Sequence, residues 1–248
     1  MQITPVIANC CSHTTRRGFL KTAGIATAAT LMGAGPFARL AYAAALTQAQ
    51  RDKLTPAEII TMMKRGNERF RSGKRSTQDF LAQQRASAKG QYPAAVILSC
   101  IDSRASAETI MDLAIGDVFN ARVAGNIAND DILGSMEFAC AVAGAKVVLV
   151  MGHTACGAIK GAIDDVQLGN LTGLLAKIQP AVKATAYQGE RSAKNSAFVD
   201  AVARRNVELT MENIRKGSAV LDELKAKGAI NIVGAMYDIA SAKVDFFS

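Results

Sequence analysis

Apolar residues along the 248-residue chain gather in short continuous runs separated by longer stretches with helical spacing. Residues 94–99, 118–123, 146–151 and 230–236 are such runs, each of strand length. Between them, helical patterns cover 106–113, 128–143, 158–166 and a long stretch from about 192 to 227. Upstream, Thr55-Pro56-Ala57-Glu58 supplies a cap, a proline at the first helical position and a glutamate at the third, which opens a helix running to about Arg71. A basic, polar connector over 72–77 leads to a second helix ending near Gly90. Runs that are apolar at every position suit strands covered on both faces. The expected fold is therefore α/β: a mostly parallel sheet flanked by helices, with a helical N-terminal arm. Ligands of such sheets sit at the carboxyl ends of the strands.

Residues 1–45 do not follow this pattern. They hold Arg16, Arg17, Lys21 and Arg39 but no acidic residue. The pair Arg16-Arg17 precedes Gly18-Phe19-Leu20-Lys21, a mild apolar stretch over 23–32, and then Ala41-Tyr42-Ala43. Charged start, short apolar run and small-x-small site are the parts of a secretory signal, here of the twin-arginine type. Cleavage is expected near Ala43 to Ala45, with residues 46–248 forming one exported, periplasmic-type domain. The apolar stretch falls short of the roughly 20 residues that span a bilayer, so no stable membrane anchor is expected. The twin-arginine export machinery carries folded proteins, which suits a cofactor loaded before crossing.

Removing that segment changes the chemistry on offer. Cys10, Cys11 and His13 leave, so His153 is the only histidine and Cys100, Cys140 and Cys156 are the only cysteines. Formal charge falls from +8 to +4, because four cations and no acid are lost. Half of the whole chain is apolar and 20% is charged, which excludes disorder. No basic stripe with interleaved aromatics appears, so a nucleic-acid partner is not expected. Cysteine is too sparse for a disulfide scaffold.

Two predicted strand ends hold the reactive residues. The first reads Cys100-Ile101-Asp102-Ser103-Arg104, and the third reads His153-Thr154-Ala155-Cys156-Gly157. If the chain stays extended, positions 100, 102 and 104 point the same way. Two thiolates, an imidazole and a carboxylate form a donor set suited to tetrahedral zinc. Other readings remain at this point: buried cysteines as inert small hydrophobes, Asp102 and Arg104 as an ordinary ion pair, or a cysteine–histidine nucleophilic pair. Cys140 falls among Met136, Phe138 and Ala143 on a helical pattern and reads as core.

Cys-x-Asp-x-Arg followed some fifty residues later by His-x-x-Cys-Gly resembles the β-class carbonic anhydrase family. Gly116-Asp117-Val118-Phe119, Arg122, Ala124-Gly125-Asn126, Ser135-Met136-Glu137-Phe138-Ala139 and Gly144-Ala145-Lys146 extend the resemblance over about 55–246. It implies one zinc ion per chain, held by Cys100, His153 and Cys156. It makes Asp102 either a fourth ligand, in a closed state, or the partner of Arg104 that orients the attacking oxygen. Gln91 matches a residue that donates to substrate, and Gly157 the glycine after the second cysteine ligand. The implied reaction is reversible hydration of carbon dioxide to bicarbonate and a proton. The implied assembly is a homodimer or larger homo-oligomer in which Gln91 serves the neighbouring subunit. The same scaffold also suits hydrolysis of carbonyl sulfide or carbon disulfide, and a zinc-binding protein without catalysis is a further alternative. Two departures stand out: Ala105-Ser106 replaces a common Val-Pro, and Ile97 stands where members with a bicarbonate switch carry a tryptophan beside an arginine and a tyrosine, here Arg122 and Tyr237.

Overall fold

The computed structural model describes residues 45–247. Residues 1–44 of the proposed signal segment, with Cys10, Cys11 and His13, lie outside the described residues, and of the expected cleavage region near Ala43 to Ala45 only Ala45 is described. Among the described residues no helix is long and apolar enough to cross a membrane.

The apolar runs become a sheet. Strands β1 (Ala95–Ser99), β2 (Val118–Arg122), β3 (Val147–His153), β4 (Asn231–Tyr237) and β5 (Val244–Phe247) form one five-stranded sheet in the order β2-β1-β3-β4-β5. The first four pair in parallel, and β5 runs antiparallel to β4. Successive side chains on β1 and β3 enter opposite cores, which is why both strands are apolar throughout. Ala95, Ile97, Val147, Leu149 and Met151 join one cluster, and Val96, Leu98, Val148 and Val150 join the other.

The expectation for 118–123 needs correction. This run forms the edge strand β2, and its residues are half-buried or exposed, not covered on both faces. With only β1 beside it, β2 accommodates Asn120 and Arg122 at positions an interior strand would fill with apolar side chains.

The helices cover the two faces. The arm contributes α1 (Gln48–Lys53), α2 (Pro56–Arg71) and α3 (Phe80–Ser87). The predicted capping box of α2 is present: Thr55 caps the Glu58 N–H and Glu58 reaches back to Thr55. Ile59 and Met63 of α2 pack on the first face with Ile110 of α4 (Ala107–Ile110). Between α2 and α4 lies Asp112, whose side chain is fully buried and accepts from Arg69 Nε at 2.6 Å and from both Ser76 N and Ser76 Oγ at 2.9 Å. Lys146 Nζ donates to the carbonyls of Asp52 and Leu54 at 2.8 Å each, docking α1 on its own chain.

On the second face lie α5 (Asp130–Glu137), a π-helical turn (Phe138–Val142), α9 (Ser196–Gly217) and α10 (Ala219–Ala226). Cys140 is core, as expected, and burial pushes its thiol up to about 12. The long helical stretch breaks at Gly217-Ser218, where Ser218 Oγ caps the new helix by accepting from Leu221 N at 3.1 Å. At the carboxyl ends of β1 and β3, α6 (Gly157–Ile163), α7 (Gly169–Ala176), α8 (Gln179–Ala184) and the start of α9 build a third cluster that includes Cys100 and Cys156.

Candidate metal centre

β1 and β3 are hydrogen-bonded neighbours in parallel register, so their carboxyl ends open side by side. His153 is the last residue of β3, and Cys100 immediately follows β1. A sharp turn with Ala155 at φ 54° brings Cys156 back to cap α6. The ligand atoms of Cys100, His153 and Cys156 all lie within 4.8 Å of one another, and all three residues are buried. The two sulfurs are 4.0 Å apart.

The imidazole is oriented from behind. His153 Nδ1 lies 2.9 Å from the Thr154 carbonyl oxygen, which can only accept, so Nδ1 carries the proton. Nε2 then presents a lone pair into the cluster, and it has no hydrogen-bond partner although it is buried. A buried polar atom without a partner is costly unless something occupies its lone pair. Tetrahedral zinc with sulfurs at about 2.3 Å separates them by about 3.8 Å, close to the distance observed here. The donor set therefore fits a zinc ion.

Electrostatics around the cluster agree. The Cys156 thiol beside Cys100, together with His153 and the Gly125 N–H, holds Cys100 below the ordinary thiol range despite its burial. Burial works against charge on His153, but the Cys100 sulfur and the Thr154 carbonyl outweigh it and raise its pKa.

Asp102 stands at the rim. Arg104 grips it as a fork, Nε to Oδ1 at 3.0 Å and Nη2 to Oδ2 at 2.8 Å, while Arg104 N donates to Oδ1 at 2.9 Å. Arg104 hydrogen bonding holds the carboxylate well below its usual range. Oδ2 is 3.9 Å from His153 Nε2, so the clamped carboxylate faces the cluster without belonging to it. The extended geometry expected for 100–104 is not what forms. β1 ends at Ser99, and the donation of Arg104 N to Asp102 Oδ1 and of Ala105 N to Asp102 O folds the segment into a turn. Asp102 reaches the cluster by that turn. Arg122 braces it from β2, with Nε donating to Cys100 O at 2.9 Å and Nη2 to Asp102 O at 2.6 Å.

Cys100, Asp102, Arg104, His153 and Cys156 thus converge. Gln91 does not join them: it is exposed in the loop before β1 and forms no hydrogen bond among the described residues. Gly157 begins α6 and is exposed, and an added Cβ there would meet nothing within 4 Å.

Three supporting residues carry no role in the sequence reading. Gly125 donates its N–H to Cys100 Sγ at 3.4 Å. Asn206 Nδ2 donates to Gly125 O at 2.7 Å, and Asp200 Oδ1 accepts from Ala155 N at 3.0 Å. Ala124-Gly125-Asn126 had a signal in the family resemblance, whereas Asp200 and Asn206 sit on an ordinary amphipathic helix far along the chain.

The carbonic anhydrase family profile matches residues 95–244. Carbonic anhydrase 2 of Mycobacterium tuberculosis is 35% identical over 190 residues, covering 74% of this chain and 89% of that protein. The carbonic anhydrase of Mycolicibacterium smegmatis is 31% identical over 195 residues, covering 78% of this chain and 94% of that protein. Among solved structures, tetrameric β-carbonic anhydrases of Sordaria macrospora align with a TM-score of 0.57 at 25% identity, over 65% of this chain and 83% of theirs.

Proposed function

The chain belongs to the β-carbonic anhydrase family and is a carbonic anhydrase, and we propose that it hydrates carbon dioxide to bicarbonate with one zinc ion held by Cys100, His153 and Cys156. The observation that carries the reading is the buried, unpartnered Nε2 of His153 facing two buried sulfurs beside a clamped carboxylate. Bound there, zinc supplies a nucleophile from water at neutral pH by lowering the water pKa from 15.7 to about 7.

The remaining work belongs to the chain. Asp102, kept anionic by Arg104, accepts a hydrogen bond from the attacking oxygen and turns its lone pair toward the gas. Because Arg104 occupies both carboxylate oxygens, Asp102 stays off the metal. Gln91, with its side chain in solvent, is suited to reach a neighbouring subunit and donate to an oxygen of the forming bicarbonate. Gly157, at the exposed start of α6, leaves room for substrate beside Cys156. With His153 committed as a ligand, protons leave through water and buffer. The assembly is a homodimer or a larger homo-oligomer, in keeping with the tetrameric Sordaria enzymes. Residues 1–45 are a twin-arginine signal that directs the folded domain to the periplasm.

The test is carbon dioxide hydration by purified protein, with zinc measured on the same sample and Cys156→Ser alongside. About one zinc per chain with hydration activity, both lost in Cys156→Ser, is expected. Full zinc occupancy in that variant rejects the ligand set.

A further inference from the structure

The turn that carries His153 and Cys156, and the peptide of Gly125 that donates to Cys100 Sγ, are both held by a single helix distant in sequence. Helix α9 lies directly on β3: a Cβ on Gly152, the residue before His153, would come within 2.7 Å of Val207 Cγ2. From this seat α9 reaches two ways. Asp200 Oδ1 accepts from the N–H of Ala155, between His153 and Cys156. Ala155 has a φ of 54°, in the left-handed region that alanine rarely holds without support. In a chain rich in cations, Asp200 makes no ion pair among the described residues, and its one hydrogen bond there goes to this backbone N–H. Asn206 is buried, and its Nδ2 donates to the carbonyl of Gly125, whose own N–H is directed at Cys100 Sγ.

We infer that Asp200 and Asn206 are positioning residues for the metal centre. Asp200 fixes the angle between the His153 and Cys156 donors, and Asn206 fixes the peptide that donates to the Cys100 sulfur. The inference rests on the zinc reading above. Outer partners of metal ligands commonly control affinity by about 10- to 100-fold. Neither residue touches the three ligand side chains, so each acts through the backbone it holds.

The experiment measures zinc affinity of the metal-stripped full chain by chelator competition, together with the sulfur-to-metal absorption of the cobalt-substituted protein. Asp200→Ala is expected to weaken zinc by about 10- to 100-fold. Asp200→Asn keeps the acceptor and should bind as the parent does. Adding Ala155→Gly to Asp200→Ala should restore most of the loss, because glycine adopts that φ unaided. Asn206→Ala should both weaken zinc and shift the cobalt–sulfur band. If Asn206→Ala does not fold, the Asp200 series decides alone. Parent-like affinity in Asp200→Ala, or no recovery with Ala155→Gly, overturns the inference. A parent protein that takes up neither metal overturns the zinc reading itself and this inference with it.

Discussion

Replacing Gly125 with alanine tests the steric logic of the site most directly. Gly125 has a φ of 69°, and a Cβ added there would stand 2.5 Å from Ile178 Cδ1 and 3.4 Å from Ala158 Cβ. The left-handed backbone costs an alanine about 1–2 kcal/mol. Ile178 is fully buried, so its methyl cannot swing into solvent, and overpacking of this kind costs about 1–3 kcal/mol. The stiffer unfolded chain returns about 0.4–1 kcal/mol. The net expectation is a destabilisation of about 3 kcal/mol, or roughly 6–12 °C in Tm for a domain of this size. Urea unfolding of metal-free protein measures it without interference from bound metal. A double-mutant cycle with Ile178→Val removes the offending methyl, so Gly125→Ala should cost about 1–2 kcal/mol less in that background. An unchanged cost there, or a Gly125→Ala protein within about 0.5 kcal/mol of the parent, refutes the reasoning.

Three further outcomes follow from contacts already described. Asp102→Asn should keep one zinc per chain while kcat/KM for carbon dioxide falls about 10- to 100-fold, since an amide loses the anionic fork with Arg104; near-normal hydration would make that pair structural. Burial alone would raise the pKa of Asp112, but the Ser76 N–H and Arg69 outweigh it and lower the value, so its contribution to stability is present above about pH 4 and is lost as pH falls below that. Denaturation midpoints against pH should therefore show a slope below about pH 4 that Asp112→Asn flattens, and an unchanged slope contradicts the assignment. Ile97 is fully buried in core and Arg122 is engaged with the Cys100 and Asp102 carbonyls, so the bicarbonate switch should be absent. The pH–rate profile should follow one ionisation with or without added bicarbonate, and a steep bicarbonate-dependent loss would overturn this.

What was readable in the sequence depended on how local its cause is. The α2 cap was legible because Thr55, Pro56 and Glu58 act within one turn. β1 and β3 were legible because burial on both faces leaves only apolar residues. For β2 the edge position depends on which strand lies beyond it, and the signal for it is confined to Asn120 and Arg122, the two polar residues that interrupt the run. β5 was missed: four residues after a turn carry little pattern, and their place is set by Asn67 of α2, whose Oδ1 accepts from Val244 N at 3.0 Å. α7 and α8 were missed because Gly169, Gly173 and Pro180 interrupt helical spacing that tertiary packing then restores. In the site, Cys100, Asp102, Arg104, His153 and Cys156 were marked as candidates by their types and their place at strand ends, and it is the family resemblance that assigns them roles. The turn that aims Asp102 was not, because it depends on Arg104 N donating to Oδ1, and an extended run was the simpler assumption. Asp200 and Asn206 act through hydrogen bonds to backbone groups, and their residue types alone announce nothing.

The pairing of β1 with β3 sets an order of events for the chain as it emerges and folds. The sulfurs of Cys100 and Cys156 are separated by 56 positions, and the intervening segment includes β2, which must be laid along the outer side of β1. Closing a loop of that length costs about 3–4 kcal/mol of chain entropy before any contact across it returns stability. No shorter piece of the protein brings the three donors together, so a high-affinity site exists only once the crossover from β1 to β3 is complete. Metal uptake would then report that β1 and β3 have paired, late in the assembly of the sheet.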